Sequence, residues 1–326
     1  MIDIFYHIFD IYTINALFFD LLRASFKMQR RKFVEMGAVC ALALTAALPA
    51  RAEAERPILV AASFDAMAEL VKAVGGSLVR VETLIPPGAE PHDFTPTVKT
   101  TQLLRAASVL VVNGFGMEPW AKKIAAAAEN PRLMLVTASE GAVPVKNSDP
   151  DEIAEHGADD PHLWLSLSGA EIEARNIAEA LAKADPKNAE AYRMQFTLFK
   201  GKLHVLKTQY SARFRNVKRR FFVTGHAAFA YLCRDFNLEQ KSVEGVFAEG
   251  EPTPKRLAEL AIELKKAGVR TVFAEKLLSP AVSKTLAQEA GARVETIYTM
   301  ESAEDGKNYL ERMRSNLEKI ESALDE

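Results

Sequence analysis

Short apolar runs alternate with longer amphipathic segments along the chain from Pro57 onward. The short runs are rich in Val, Ile and Leu and predict buried β-strands, whereas the longer segments repeat apolar residues at the helical period and predict α-helices. In the first half, the predicted strands are 58–62, 79–85, 109–112 and 133–136, and the predicted helices are 65–74, 98–107, 119–128 and 170–184. This alternation is typical of an α/β fold in which parallel sheets are flanked by helices.

Residues 188–215 form one amphipathic segment that contains no proline and has Gly201 as its one weak point. Its apolar residues recur close to the helical period: Tyr192, Phe196, Phe199, Leu203, Leu206 and Tyr210. The predicted helix is much longer than the usual domain helix of about 11–12 residues. We therefore interpret it as a spine that joins two lobes.

The strand–helix alternation restarts after this helix. The predicted strands are 220–224, 241–246, 271–274 and 293–299, and the predicted helices are 227–236, 254–267 with Thr253 as its cap, 280–290 and 309–324. We therefore predict an N-terminal α/β lobe at 57–186, a linking long helix at 187–216 and a C-terminal α/β lobe at 217–326, each lobe with its own apolar core.

An acidic segment at residues 139–160 interrupts the pattern of the first half. We predict a mobile loop there. The segment contains His156, so it could gather metal near a site, but one histidine does not make a histidine-rich tract and a solvated connector is the favoured interpretation.

Residues 28–52 have the pattern of a secretory signal peptide, with a basic start at 30–32, an apolar stretch at 33–49 and a small-x-small cleavage pattern at 50–52. They predict export to the periplasm and cleavage near Glu53. The paired Arg30 and Arg31 partly match a twin-arginine signal, so the export route, Sec or twin-arginine, stays open. Val39 before Cys40 argues against attachment of a lipid.

Residues 1–27 lie upstream of this complete signal and are apolar but interrupted by acidic residues. This pattern suits neither a clean membrane span nor a folded domain. We interpret the segment as the product of a translation start assigned too early; the alternative is a membrane-associating extension.

The composition is that of a globular protein: 326 residues, 48% hydrophobic, 26% charged and a net charge of −2. Without a basic excess, nucleic-acid binding has no electrostatic support. Only Cys233 remains after the signal is removed, which excludes an intramolecular disulfide. We expect Cys233 to be a small buried apolar residue.

Three of the six histidines, His92, His162 and His226, lie in loop segments that lead towards predicted helices. A lone histidine in such a loop is more often an exposed turn residue. Three together favour a metal site, because neutral imidazole is the commonest protein ligand for zinc and three of them leave one position for a carboxylate.

The local sequences around these histidines carry a family resemblance. They are PGAEPHDFTP at 87–96, VNGFGMEPW at 112–120, DPHLW at 160–164 and GHAAFAY at 225–231. The chain resembles, over its whole mature length, the metal-specific solute-binding proteins of bacterial ABC importers of the ZnuA/TroA type. The resemblance implies two lobes bridged by a long helix, one metal ion between them, and a monomer that delivers the metal to a membrane permease.

The resemblance also implies the ligands. His92, His162 and His226 match the first three family positions, and the fourth is an acid after the last strand. Glu301 is the closest match to that acid, with Glu304 and Asp305 as nearby alternatives. Glu275, at the end of a predicted strand, is expected either to support a ligand from behind or to cap a helix.

Zinc is the favoured metal, because three imidazoles and one carboxylate suit its tetrahedral preference. Manganese and iron are the alternatives: manganese prefers more oxygen ligands, and manganese-selective relatives often carry Glu in place of His226. The long histidine-rich loop of some zinc-uptake relatives is missing.

A secreted zinc hydrolase is the rival from another class, with three histidine ligands and Glu275 or Glu301 as base, but the chain has no HExxH and no nucleophile motif. For a secondary role in adhesion, which some relatives have, the sequence gives no argument in either direction.

Overall fold

The computed structural model of the protein describes residues 56–247, 253–277 and 280–326. The extension predicted at 1–27 and the signal peptide predicted at 28–52 lie outside the described residues. Pro57–Glu326 forms one unit of packed elements.

Strands and helices alternate through this unit, as the sequence predicts. The strands are β1 (Ile58–Ala62), β2 (Val79–Thr83), β3 (Val109–Val112), β4 (Met134–Thr137), β5 (Phe221–Thr224), β6 (Glu239–Ser242), β7 (Thr271–Ala274) and β8 (Arg293–Thr296). The α-helices are α1 (Asp65–Gly75), α2 (Val98–Ala106), α3 (Ala121–Ala127), α4 (Pro150–His156), α5 (Leu167–Ala184), α6 (Ala189–Arg213), α7 (Ala230–Phe236), α8 (Pro254–Lys266), α9 (Pro280–Ala290) and α10 (Tyr309–Leu324). Short 3₁₀ turns occupy Gly76–Leu78, Leu163–Leu165 and Pro186–Asn188.

The N-terminal sheet is parallel throughout, in the order β2-β1-β3-β4. Val60 of β1 pairs with Val81 on one side and with Val109 on the other. All four residues of β3 are buried, which explains its unbroken run of Val and Leu, because a parallel sheet covered on both faces needs apolar side chains in both directions. The carboxyl ends of these strands meet at one edge, where a site can form.

The C-terminal half contains two parallel ladders, β5 with β6 and β7 with β8. Val223 of β5 and Val272 of β7 belong to one apolar cluster, so the two ladders pack together. The strand predicted at 241–246 is instead β6, Glu239–Ser242, and the strand predicted at 293–299 ends at Thr296. Each strand continues only while it has a partner: β6 ends where Ser242 pairs with the last residue of β5, Thr224.

Helix α6 is the predicted long helix, with 25 residues, and its buried face carries most of the predicted apolar stripe. The prediction that each lobe has its own core holds only in part. One smaller apolar cluster lies in each half, but the largest cluster includes Phe64 before α1, Leu203 of α6 and Phe273 of β7. A continuous apolar core therefore spans both halves, and the lobe boundaries at 187 and 216 stay a prediction.

Residues 139–160 differ from the loop predicted there. They contain helix α4, and Lys146 forms an isolated antiparallel bridge with Asp159. The sequence carries a helix start that explains this: the Asp149 side chain accepts the backbone N–H of Glu152, and Pro150 occupies the first helical position. Glu152 is buried, so this segment is packed rather than only a solvated connector.

Cys233 is buried, as expected, and burial raises the pKa of its thiol. Thr253 caps α8 by accepting the backbone N–H of Arg256, as predicted. Within the described residues, no helix is long and apolar enough to cross a membrane.

Candidate metal centre

The structure brings together the four side chains that the sequence singled out. His92 follows β2, His226 follows β5 and Glu301 follows β8, so three of them lie beyond the carboxyl ends of parallel strands. His162 lies in the segment before α5. The His92 loop is held against the Glu301 segment because the Gly88 N–H donates to Ser302 Oγ at 2.9 Å.

Four ligand-type atoms converge: the Nε2 atoms of the three histidines and Oε1 of Glu301. All lie within 4.8 Å of one another. Glu301 Oε1 is 3.5 Å from His92 Nε2, 3.5 Å from His162 Nε2 and 3.7 Å from His226 Nε2. The Nε2 atoms of His162 and His226 are 3.2 Å apart. Ligands at about 2.0–2.1 Å from a tetrahedral zinc ion lie about 3.3–3.4 Å from each other, so these separations suit such an ion.

The converging atoms are buried, and two of them lack hydrogen-bond partners among the described residues. The side chains of His92, His162, His226 and Glu301 are at most 3% exposed. His92 Nε2 and Glu301 Oε1 have no hydrogen-bond partner within the described residues. Buried polar atoms are rarely left unpaired, because the lost hydration is not repaid. Unpaired atoms that point at one spot indicate a bound group, and their nitrogen and oxygen chemistry fits a divalent cation.

Two carboxylates orient two of the imidazoles from behind. Asp160 Oδ1 lies 2.9 Å from His162 Nδ1 and also accepts the His162 backbone N–H at 2.8 Å. Glu275 contacts His226 Nδ1 through Oε2 and accepts the His226 backbone N–H through Oε1 at 3.1 Å. A proton held on Nδ1 leaves Nε2 free to bind a metal ion.

Glu275 is a candidate for this role from the sequence, whereas Asp160 is not among the residues predicted for the site. The feature of the sequence that could have indicated Asp160 is its position two residues before His162 in the DPHLW segment. At that spacing, one carboxylate can reach both the ring and the backbone of the histidine.

His92 has a different environment. Its Nδ1 has no hydrogen-bond partner among the described residues, and the ring of Phe247 packs against it instead. Burial lowers the pKa of His92, which favours the neutral form that binds metals. Burial alone would also lower the pKa of His226, but Glu275 outweighs it and raises that pKa to about 10. A metal ion bound there must displace a proton.

Glu301 is held as a carboxylate. Burial alone would raise its pKa, but the imidazoles of His162 and His92, each 3.5 Å from Oε1, and that of His226 outweigh burial and hold the pKa well below its usual range. The other oxygen, Oε2, accepts the hydroxyl of Thr299 at 2.6 Å.

The remaining candidates lie outside the group of four. Asp305 accepts the hydroxyl of Tyr298 at 2.7 Å and is exposed. Glu304 does not belong to the cluster, and burial raises its pKa to about 7. His156 stacks on Phe247 with ring centroids 4.2 Å apart. The geometry thus favours Glu301 as the fourth ligand, and the ligand assignment itself stays a prediction.

A two-lobed α/β fold with one buried cluster of three imidazoles and a carboxylate is typical of metal-specific solute-binding proteins. The chain belongs to the ZnuA family: residues 60–323 match the family described as "Zinc-uptake complex component A periplasmic". Members of this family are metal-binding components of ABC importers and not enzymes. The prediction that this chain is not an enzyme is therefore confirmed, and the hydrolase alternative is excluded.

Individual relatives agree with the family. The chain is 41% identical over 288 residues to a Treponema pallidum protein described as metal-binding. The matched region covers 86% of this chain and 91% of that protein. It is 31% identical over 293 residues to the zinc-binding protein AdcA of Streptococcus pyogenes, covering 83% of this chain but only 57% of AdcA. A zinc-bound crystal structure of a ZnuA deletion mutant is 29% identical, with a TM-score of 0.73, and covers 83% of this chain and 99% of that one.

Proposed function

We propose that this protein captures zinc in the periplasm with His92, His162, His226 and Glu301 and delivers it to the permease of an ABC importer. The observation that carries the proposal is the convergence of four buried ligand-type atoms within 4.8 Å of one another, with four of the six separations between 3.2 and 3.7 Å. Because the histidines come from separate loops in both halves of the fold, the folded chain presents a ready-made site.

Zinc is preferred over manganese or iron on the chemistry of these atoms. Three imidazole nitrogens and one carboxylate oxygen match the ligands that zinc takes in four-coordinate sites. Manganese favours more oxygen ligands. Binding by four protein groups leaves no position for a reacting water, which suits capture and release rather than catalysis.

The periplasmic location and the permease partner rest on the family and on the signal pattern at residues 28–52. We infer that the mature chain begins near Glu53 and acts as a monomer. N-terminal sequencing of the exported protein tests the cleavage, and light scattering tests the oligomeric state. A mature chain that retains residues 1–27 contradicts the proposed start at Met28.

Metal binding is tested on the purified mature chain. Elemental analysis identifies the metal that co-purifies, and titration of the chelator-stripped protein gives the affinities for zinc and manganese. His226→Ala should weaken zinc binding far more than the matched control His156→Ala, because His156 is not in the cluster. Equal losses, or a protein that binds manganese more tightly than zinc, contradict the assignment.

Delivery is tested in cells that lack the chromosomal copy of this chain. Wild-type protein should restore growth under zinc limitation, whereas His226→Ala should not. Restoration by a variant that no longer binds zinc would contradict the delivery proposal.

A further inference from the structure

The two oxygens of the Glu301 carboxylate have different environments. Among the described residues, Oε1 has no hydrogen-bond partner, and it lies 3.5 Å from Nε2 of His92 and of His162. Oε2 accepts the hydroxyl of Thr299 at 2.6 Å. One oxygen is therefore free for a metal ion, while the other is engaged by the protein.

We propose that Thr299 restricts Glu301 to binding through a single oxygen, and that it thereby tunes the site towards a four-coordinate cation and against larger cations that collect more oxygen ligands. This inference rests on the proposed function, metal capture by the four-residue cluster. Thr299 is a positioning residue, because it acts through Glu301 and does not touch the metal position itself.

The backbone holds Thr299 in place for this contact. Trp164, which is fully buried, donates its indole N–H to the carbonyl of Thr299 at 2.7 Å. Met300, between Thr299 and Glu301, has a φ of 62°, a left-handed conformation that non-glycine residues adopt rarely. The Thr299 hydroxyl and the Glu301 carboxylate meet across this turn. Thr299 is itself 2% exposed, so water does not compete for its hydroxyl.

The hydrogen bond has a consequence for metal choice. A carboxylate can bind a cation through one oxygen or through both, and the second mode adds a ligand. A hydrogen bond from Thr299 to Oε2 occupies that oxygen and keeps the number of metal ligands at four, which suits zinc. Without the donor, Oε2 can turn to the cation and add a fifth ligand, which favours manganese relative to zinc.

The test compares Thr299→Val, which keeps the shape and removes the hydroxyl, with Thr299→Ser, which keeps the hydroxyl. Zinc and manganese dissociation constants are measured by competition titration on the full mature chain. Loss of a hydrogen bond behind a metal ligand typically changes affinity by about 10–100-fold. We expect the preference for zinc over manganese to fall by about tenfold in Thr299→Val and to be preserved in Thr299→Ser.

Cobalt(II) supplies a second readout. Tetrahedral cobalt absorbs visible light strongly, and the absorption weakens as ligands are added. The wild type and Thr299→Ser should show the strong spectrum, and Thr299→Val the weak one. Thr299→Ala serves the same purpose if Thr299→Val does not fold, as judged by circular dichroism.

Three results are decisive. A zinc-binding wild type whose metal preference and cobalt spectrum survive in Thr299→Val overturns the inference alone. Equal weakening of zinc and manganese in Thr299→Val also overturns it, because a purely structural role would do the same. A wild type that binds neither metal overturns the proposed function and the inference together.

Discussion

Phe247 packs edge-on against the imidazole of His92, with ring centroids 5.3 Å apart and an interplanar angle of 79°. His156 stacks on the same phenyl ring at 4.2 Å. The phenyl ring therefore lies between the cluster and helix α4, which ends at His156. An apolar ring in that position excludes water from one side of the site.

Phe247→Ala should accelerate zinc release more than it weakens equilibrium binding, because the four ligands remain while their cover is lost. Loss of the cover opens the site to entry as well as to exit, so the association rate rises with the dissociation rate and their ratio, the dissociation constant, changes less. Stopped-flow mixing of the zinc-loaded protein with excess chelator measures that rate. Ile262→Ala, an exposed apolar residue on α8, is the control and should leave the rate unchanged. An unchanged rate in Phe247→Ala would show that zinc leaves by another side.

The segment that carries Phe247 is anchored by Glu152 of α4. The Glu152 carboxylate accepts the backbone N–H groups of Val246 at 3.1 Å and of Phe247 at 3.2 Å. A Cβ atom on Gly245 would lie 2.0 Å from Glu152 Oε1, so the carboxylate fits only because residue 245 is glycine. This contact joins α4, which precedes the long helix α6, to the segment after β6.

Gly245→Ala should therefore displace Glu152 and lower the free energy of unfolding by about 1–3 kcal/mol, the usual cost of overpacking. It should also speed zinc release in the chelator assay. Gly201→Ala on α6 is the matched control: a Cβ there meets open space, and the change should be neutral or stabilise the helix by about 0.5–1 kcal/mol. Equal unfolding midpoints for the two variants in urea would refute the anchoring role.

Sequence patterns predicted most elements because the spacing of apolar residues reflects whether a helix or strand is buried on one face or on both. They missed the limits of β6 and β8, since a strand ends where its partner ends, and pairing is not local in sequence. The site shows the same division. His92, His162 and His226 lie in local motifs, whereas Glu301 was indicated only by its position after the last strand. The Glu152–Phe247 contact joins residues 95 positions apart and has no local signature.

Glu275 is expected to matter for metal affinity without touching the metal position. Because it holds both Nδ1 and the backbone N–H of His226, Glu275→Gln should weaken zinc binding by about 10–100-fold. Glu304→Gln, an acid outside the cluster, should change it little. Competition titration at constant pH measures both. Comparable affinities in the two variants would mean that the Glu275 contact does not orient His226 for binding.

Glu173 of α5 provides the clearest link between pH and stability. It is fully buried, and neither carboxylate oxygen has a hydrogen-bond partner among the described residues. Burial, assisted by the nearby Glu118, raises its pKa well above the ordinary value of 4.5. The folded protein thus keeps a proton on Glu173 that the unfolded chain releases. The stability contributed by this proton is complete below pH 4.5 and is lost as pH rises towards the folded-state pKa.

Glu173→Gln removes this titration while keeping the size of the side chain. The free energy of unfolding of the variant should exceed that of the wild type by a margin that grows with pH above 4.5, at up to about 1.4 kcal/mol per pH unit for one proton. Urea unfolding of both proteins between pH 5 and pH 9 (about the range in which carboxylates of the unfolded chain are ionised) measures the margin. The metal must be absent from both samples, because bound zinc adds its own pH dependence. A margin independent of pH would show that Glu173 is ionised in the folded protein, and a group with opposite charge would then have to lie beside it.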